Sequence, residues 1–338
     1  MRIQQTLPEG FTIRAANMDD LDAAVDLFNL CSQRMIGNNE FLRSTVKSDW
    51  TIPGFDPDND HIVIFSPTGE LVGYTFMMAV TQPPIHPWVW GRVHPDYEGL
   101  GLGSYLLEWG EQRARQILDR VPSEARVSIF SQSWDIYQPS NDLLANYGMD
   151  LIRSSYQMRI ELDSTLPAAK WPEGIKLRTF RMEDMEALYL ADEEAFRDHF
   201  GHQEEDHQTG LTRFSRRATT DPNFDPELWF LAMDGDQIAG FSLCRIKSWE
   251  DEDMGWVSIL AVRRPWRKRG IGLALLQHSF SVLQQRGRLL VGLGVDGENL
   301  TGALRLYEKA GMHIHRKLNL YEKEIRPGKE LANMGSTN

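Results

Sequence analysis

Apolar residues in the second half of this 338-residue chain follow two periods in succession. Trp256-Val257-Ser258-Ile259-Leu260-Ala261-Val262 is a nearly continuous apolar run, the pattern of a buried strand. Just beyond it Leu273, Leu276, Phe280 and Leu283 recur at helical spacing, so the strand is predicted to pass through a turn into a helix. Residues 183–196 predict an earlier helix. Residues 228–233 and 238–246 predict a hairpin around Asp234-Gly235-Asp236, with 255–262 as the next strand. A later strand, helix and strand complete an α+β unit with a mixed sheet.

The same pattern occurs twice. Gly10-Phe11-Thr12-Ile13-Arg14 through Asp20-Leu21 aligns with Gly174-Ile175-Lys176-Leu177-Arg178 through Asp184-Met185. Glu70-Leu71-Val72-Gly73-Tyr74 pairs with Gln237-Ile238-Ala239-Gly240-Phe241, and the stretch from Val93 to Gly103 pairs with that from Val262 to Gly272. Gly148-Met149 and Gly311-Met312 close the two halves. A repeat of this length implies two complete domains rather than a solenoid, and the chain has room for both. The expected domains are residues 1–163 and 174–326, joined by a polar, Pro-containing linker at 163–173 that Trp171 could pin down. The tail after Arg326, with Gly328, Lys329, Gly335, Ser336 and Thr337, is expected to be unpacked.

The turn at 263–272 carries the first candidate chemistry. Arg263, Arg264, Arg267, Lys268 and Arg269 precede Gly270-Ile271-Gly272 at the predicted helix start. Free backbone N–H groups and the positive dipole end of a helix bind phosphate, and glycine lets the backbone approach without a Cβ in the way. No Gly-Lys-Ser/Thr follows, and Leu275 stands where a dinucleotide fingerprint needs its third glycine. A pyrophosphate cradle and a basic surface turn remain.

The next segment selects between them. Val291-Gly292-Leu293-Gly294-Val295-Asp296-Gly297-Glu298-Asn299, then Ala303-Leu304-Arg305-Leu306-Tyr307-Glu308-Lys309-Ala310-Gly311-Met312, together with Arg267-x-x-Gly270-x-Gly272, resembles the acyl-CoA-binding core of the GNAT superfamily of acetyltransferases. The resemblance implies two tandem GNAT domains, each a mainly antiparallel twisted sheet flanked by helices. It implies acetyl-CoA as acyl donor, held by Leu260, Ala261, Val262, Arg267, Lys268, Arg269, Gly270, Ile271, Gly272 and Asn299. It also implies direct acetyl transfer to a primary amine, with a backbone N–H near 260–262 facing the oxyanion and Tyr307 protonating the leaving thiolate. An unperturbed tyrosine, with a pKa of about 10, is protonated at neutral pH.

The two halves are not chemically equivalent. Glu98 stands at the position of Arg267, Gly99 and Leu100 replace Lys268 and Arg269, and Leu144 replaces Tyr307. The first half therefore reads as a degenerate copy, with catalysis in the second. This arrangement is similar to that of the mycothiol synthase group within the superfamily, whose acceptor is a cysteinyl-glucosaminyl-inositol. Trp256 stands where that group's strand carries an acid, so the general base is unassigned and the amine acceptor is left open. Glu250, Asp251, Glu252 and Asp253, just upstream, are expected to form a solvated turn.

The acidic stretch 192–206 is expected to wall the acceptor cleft and to favour a cationic acceptor, with Asp198 and His199 as candidate substrate-binding residues. His199, His202 and His207 match no standard metal site, and no metal is expected. A formal net charge of −12 disfavours a nucleic-acid partner. No apolar run is long enough for a membrane span and no secretory signal opens the chain, so a cytoplasmic enzyme acting on a small-molecule amine is expected. Cys31 and Cys244 are read as core residues. Two other readings share these residues: a non-catalytic acyl-CoA-binding regulatory protein, and a peptide or protein N-acetyltransferase.

Overall fold

The computed structural model describes residues 5–162, 166–221, 223–298 and 302–334. The described chain forms two compact units, Met1–Ser154 with Lys317–Leu331, and Ser155–Arg316 with Ala332–Asn338. In chain order the first half contributes β1 (Thr12–Ala15), α1 (Leu21–Ile36), α2 (Arg43–Trp50), β2 (His61–Phe65), β3 (Leu71–Met78), β4 (Trp88–Val93), α3 (Leu102–Gln116), β5 (Val127–Trp134), α4 (Gln138–Asn146) and β6 (Asp150–Glu161). The second contributes β7 (Ile175–Thr179), α5 (Met185–Phe196), α6 (His207–Thr219), β8 (Trp229–Asp234), β9 (Gln237–Arg245), β10 (Met254–Val262), α7 (Ile271–Gln285), β11 (Leu290–Asp296), α8 (Ala303–Lys309) and β12 (His313–Arg326).

Each unit is an α+β layer structure around a mostly antiparallel sheet. The first has strand order β1-β2-β3-β4-β5-β12 and the second β6-β11-β10-β9-β8-β7. The final strand of each sequence repeat is exchanged: β12 pairs antiparallel with β5 from Leu318↔Trp134 to Arg326↔Val127, while β6 pairs antiparallel with β11 from Glu161↔Leu290 to Ser155↔Asp296. The sequence repeat, cut at 163 and 174, and the compact units thus divide the chain at different places. An offset in sequence marks what was duplicated, not where strands pair.

The repeat is visible in detail at the start of each half. Arg14 holds Asp20 with two hydrogen bonds, both of 2.6 Å, and Arg178 holds Asp184 with bonds of 2.6 and 2.7 Å. Each carboxylate also accepts from a backbone N–H at the helix start, Asn17 in one case and Arg181 in the other.

In the second unit two apolar layers cover the sheet. Ile271, Leu275, Phe280 and Leu283 of α7 pack with Phe230, Cys244, Val257 and Leu293, and Leu188, Ala191 and Ala195 of α5 pack with Leu231, Phe241, Leu243 and Ala261. Each fully buried Leu, Ile or Phe contributes about 1.5–3 kcal/mol. Val257 and Ala261 are four residues apart on β10, a separation that places side chains on one face of a regular strand. Here they fall in opposite layers because the register against β9 shifts between Val257 and Ile259. This bulge inserts one residue and turns the rest of the strand over.

One expectation is met and two need revision. Trp171 does pin the linker, lying against His278 of α7 at a ring separation of 6.3 Å, while residues 163–165 lie outside the described ones. The tail is packed rather than loose: Arg126 N donates to Lys329 O at 2.8 Å, Lys329 N donates to Glu124 O at 2.7 Å, and Asn333 exchanges backbone bonds with Gly201 and His202. Gly335, Ser336 and Thr337 lie outside the described residues. Glu250 is not solvated; its side chain is 1% exposed, and Arg316 reaches it at 3.0 Å. A run of four acidic residues looked like a solvated turn because sequence alone does not reveal the arginines that fold onto one of them.

Candidate active site

β10 and β11 run parallel from Met254↔Leu290 to Val257↔Leu293 and then part. β11 continues against β6 as far as Asp296, and β10 continues against β9 as far as Val262. From Ser258 onward the side of β10 that faced β11 has no strand beside it. This is a notch lined by backbone polar groups, and the bulge sits at its apex. Leu260, Ala261 and Val262, expected to present backbone N–H groups to the donor, lie on the freed stretch.

The chain leaves β10 into the basic turn and enters α7. Lys268 has φ 63° and Gly270 φ 88°, and Gly270 occupies the N-cap position with no side chain capping the helix. The first-turn N–H groups of Ile271, Gly272 and Leu273 therefore have no side-chain acceptor and present an anion site together with the helix dipole. A left-handed lysine costs about 1–2 kcal/mol, strain of the kind found at functional turns. Gly272 is needed for a different reason: a Cβ there would meet Leu306 Cδ2 of α8 at 3.2 Å.

The five basic side chains have separate tasks. Arg263 Nε donates to Glu194 at 2.6 Å, and Arg264 is paired with Asp198. Arg267 donates from Nε to Val262 O and from Nη2 to Ala195 O, both at 3.1 Å, tying the end of α5 to the end of β10. Arg269 approaches Asp234 at 3.7 Å. Lys268 is exposed and makes no hydrogen bond or ion pair, which leaves its ammonium available to a phosphate.

Tyr307 lies on α8 with its side chain buried in the layer that includes Ile271 and Leu275. Burial pushes its hydroxyl up to about 12, so it stays protonated through the neutral range. Asn299 lies outside the described residues. Asp198 and His199 follow the end of α5; the Asp198 carboxylate meets Arg264 of the basic turn, and His199 packs edge-on against Phe196 at 4.5 Å.

Sequence reading missed Asp192. It lies on α5 under the influence of Arg217 and Arg213 of α6, and its Oδ1 is buried with no hydrogen-bond partner. Burial pushes its carboxyl up to about 6. Only its place within an apolar helical stripe could have signalled this. Among the described residues, no group of three or more His, Cys, Asp or Glu side chains is placed to hold a metal ion. Both thiols are buried and pushed up to about 11 by that burial, which keeps them as unreactive core groups at neutral pH.

The first unit keeps the backbone of this arrangement without its charge. β4 and β5 pair parallel at Trp88↔Phe130, and Gly99 and Gly101, with φ 77° and 83°, lead into α3. Glu98 accepts a 2.5 Å hydrogen bond from the Tyr137 hydroxyl. Tyr147, the counterpart of Ala310, donates to Glu111 at 2.8 Å.

The chain belongs to the acetyltransferase (GNAT) family, whose model matches residues 23–127 and 184–312. Among its relatives, mycothiol acetyltransferase of Thermobispora bispora is 31% identical over 259 residues, covering 75% of this chain and 81% of that protein. Mycothiol acetyltransferase of Streptomyces coelicolor is 30% identical, covering 78% and 80%. A GCN5-related N-acetyltransferase from Sphaerobacter thermophilus superposes with a TM-score of 0.82 at 36% identity, covering 96% of this chain and 99% of that one. A tandem GNAT protein from the clavulanic acid biosynthesis pathway shares the fold, with a TM-score of 0.68 at 17% identity and coverage of 94% and 99%. The chain is thus an N-acetyltransferase of tandem GNAT architecture, taking a CoA-derived acyl donor. Among the described residues no helix is long and apolar enough to cross a membrane.

Proposed function

We propose that the protein transfers the acetyl group of acetyl-CoA to a primary amine on a small molecule, and that the reaction takes place in the second unit. One observation carries this reading: only the second unit combines the parted strands with a cationic turn, Lys268 unpaired and Arg267 clamped beneath it, whereas the first has Glu98 in the equivalent place. The pyrophosphate sits on the first-turn amides of α7 with Lys268 beside it. The thioester carbonyl lies along the freed edge of β10, where a backbone N–H between 260 and 262 stabilises the oxyanion. Tyr307 hydrogen-bonds the departing thiolate. Asp192 takes the proton from the incoming ammonium; a carboxyl near pH 6 is a far better base at neutral pH than an ordinary one.

The relatives bring the mycothiol precursor forward as one acceptor to test. Trp256, buried and packed edge-on against Trp249 at 4.4 Å, gives this protein's cleft an indole wall, so the acceptor is assigned only as a small amine. The test is CoA release from acetyl-CoA over a panel of amines, amino sugars, polyamines and cysteinyl-glucosaminyl-inositol, with Tyr307→Phe as control. Turnover on one acceptor that falls in the variant supports the proposal. Tight acetyl-CoA binding without turnover on any amine would replace it with a regulatory acyl-CoA-binding role.

A further inference from the structure

A second group of side chains lies on the sheet face that carries Trp256. Cross-strand partners share a face, and Trp256 is aligned with Gly292, which is aligned with Arg159; one step along, Gly294 is aligned with Gln157. Gly292 and Gly294 stand where β11 leaves β10. A Cβ on Gly292 would strike the Trp256 ring at 2.6 Å, but one on Gly294 would meet nothing within 4 Å, so this edge of the notch is open. The segment between β9 and β10 folds over this face and places Glu250 against Gln157, Arg159 and Arg316.

Arg159 is the poorly partnered member of this group. The Arg159 and Arg316 side chains are 14% and 9% exposed, and both approach the carboxylate of Glu250. Arg316 Nη1 takes that carboxylate at 3.0 Å, whereas Arg159 is held off at 3.8 Å. Arg159 donates no hydrogen bond, and its Nε is buried without a partner, as is Oε1 of Gln157 beside it. Burial lowers the Arg159 pKa despite attraction from Glu250, Asp251 and Glu161, so its lost hydration is not made up by neighbouring carboxylates. His315, driven down to about 4 by burial and by Arg159, Arg316 and His313, adds no counter-charge. A guanidinium partly withdrawn from water without hydrogen bonds is costly, and a bound anion supplies the missing acceptors.

We infer that the amine acceptor of the reaction proposed above carries an anionic oxygen group, a carboxylate or a phosphate, which Arg159 binds beside the open edge at Gly294, with Gln157 Oε1 accepting from a neighbouring N–H or O–H of the same molecule. This reverses the expectation of a cationic acceptor drawn from the acidic stretch 192–206. Glu194, Asp198 and Glu205 of that stretch are directed at Arg263, Arg264 and Arg213, so their charge is answered within the protein.

The test uses the full chain saturated with CoA and matched pairs of amines that differ only in the anion: lysine with lysinamide, glycylglycine with its amide, and glucosamine 6-phosphate with glucosamine. Binding is read by quenching of tryptophan fluorescence, and turnover with acetyl-CoA is measured in parallel. At least one anionic member is expected to bind tenfold or more tightly than its neutral twin, and Arg159→Met is expected to abolish that preference while acetyl-CoA affinity stays within twofold. Glu250 keeps Arg316 in this variant, so no carboxylate is orphaned. Arg159→Lys restores part of the preference if charge is what matters. The lysine and sugar phosphate pairs separate a carboxylate from a phosphate. If no anionic member outbinds its twin, or if the preference survives Arg159→Met, the inference falls even where neutral amines are acetylated. If the preference is present and depends on Arg159 but nothing is turned over, the anion site stands and the transferase reading falls.

Discussion

Asp192→Asn separates what burial costs from what catalysis gains. Burial, with Oδ1 unpartnered, pushes the Asp192 carboxyl from the ordinary 3.8 up to about 6 against the attraction of Arg217 and Arg213. At 1.36 kcal/mol per unit this amounts to about 3 kcal/mol, an upper figure for a side chain that keeps some solvent contact. Because the folded protein disfavours the ionised form, the group costs nothing below about pH 4. The cost grows as pH rises from 4 to 6 and is complete above 6. Asparagine has nearly the same shape and does not ionise. The variant is therefore expected to be more stable than the wild type by up to about 3 kcal/mol at pH 7.5, with the gap closing as pH falls toward 4.5, read from urea unfolding at a series of pH values. Its kcat/KM is expected to fall about 10²–10⁴-fold, the usual worth of a general base. The wild-type rise in activity through pH 6 should be absent from the variant. No gain in stability at pH 7.5 would refute the burial argument, and an acid limb near pH 6 that persists in Asp192→Asn would place the base elsewhere.

Arg267→Glu, which copies the first half, removes the clamp from Val262 O and Ala195 O and puts a carboxylate beside the pyrophosphate; calorimetry should show acetyl-CoA affinity reduced at least a hundredfold. Tyr307→Phe should lower kcat by one to two orders of magnitude with acetyl-CoA affinity retained, and the wild-type activity should show no Tyr307-dependent fall below about pH 11, since the hydroxyl is held near 12. Glu98→Arg should change turnover less than twofold, because the charge lost in the first unit served no substrate. A fragment ending at residue 163 lacks β12 and bares the edge of β5 that β12 covers along Val127–Trp134; it should aggregate where the full chain is monodisperse in size-exclusion chromatography.

The elements were legible wherever local pattern and tertiary environment agreed. The apolar run at 256–262 is β10, the spacing of Leu273, Leu276, Phe280 and Leu283 is α7, and the Asp-Gly-Asp turn joins β8 to β9. The glycine turn was legible because a left-handed residue at a helix start favours glycine, and Gly270 takes φ 88° there. The rest depends on pairs distant in sequence. The bulge in β10 has no residue signature, since Ser258 fits an apolar strand as well as a kink. The burial of Glu250 requires Arg316, 66 positions later, and the exchange of β6 and β12 requires knowing which edges meet. Arg267 carried the motif in sequence, yet its guanidinium bonds the protein's own carbonyls, Val262 O and Ala195 O, and so ties down the turn.

The two halves keep the same turn geometry with different residues. Both keep left-handed residues at the turn, Gly99 and Gly101 in one and Lys268 and Gly270 in the other, because the strand must turn sharply to lay its helix back on the sheet. The glycines of the first half adopt that geometry at no steric cost, while Lys268 adopts it at about 1–2 kcal/mol. A lysine under strain, exposed and without any partner in the protein, contributes nothing to folding that glycine would not supply more cheaply. Its charge is then the reason for its presence. In the first half, Tyr137 donates to the carboxylate that stands at the corresponding edge, so the position has been absorbed into the protein's own hydrogen bonding. The asymmetry at these few residues, within a shared backbone, is the ground on which we propose acyl-CoA chemistry for the second copy.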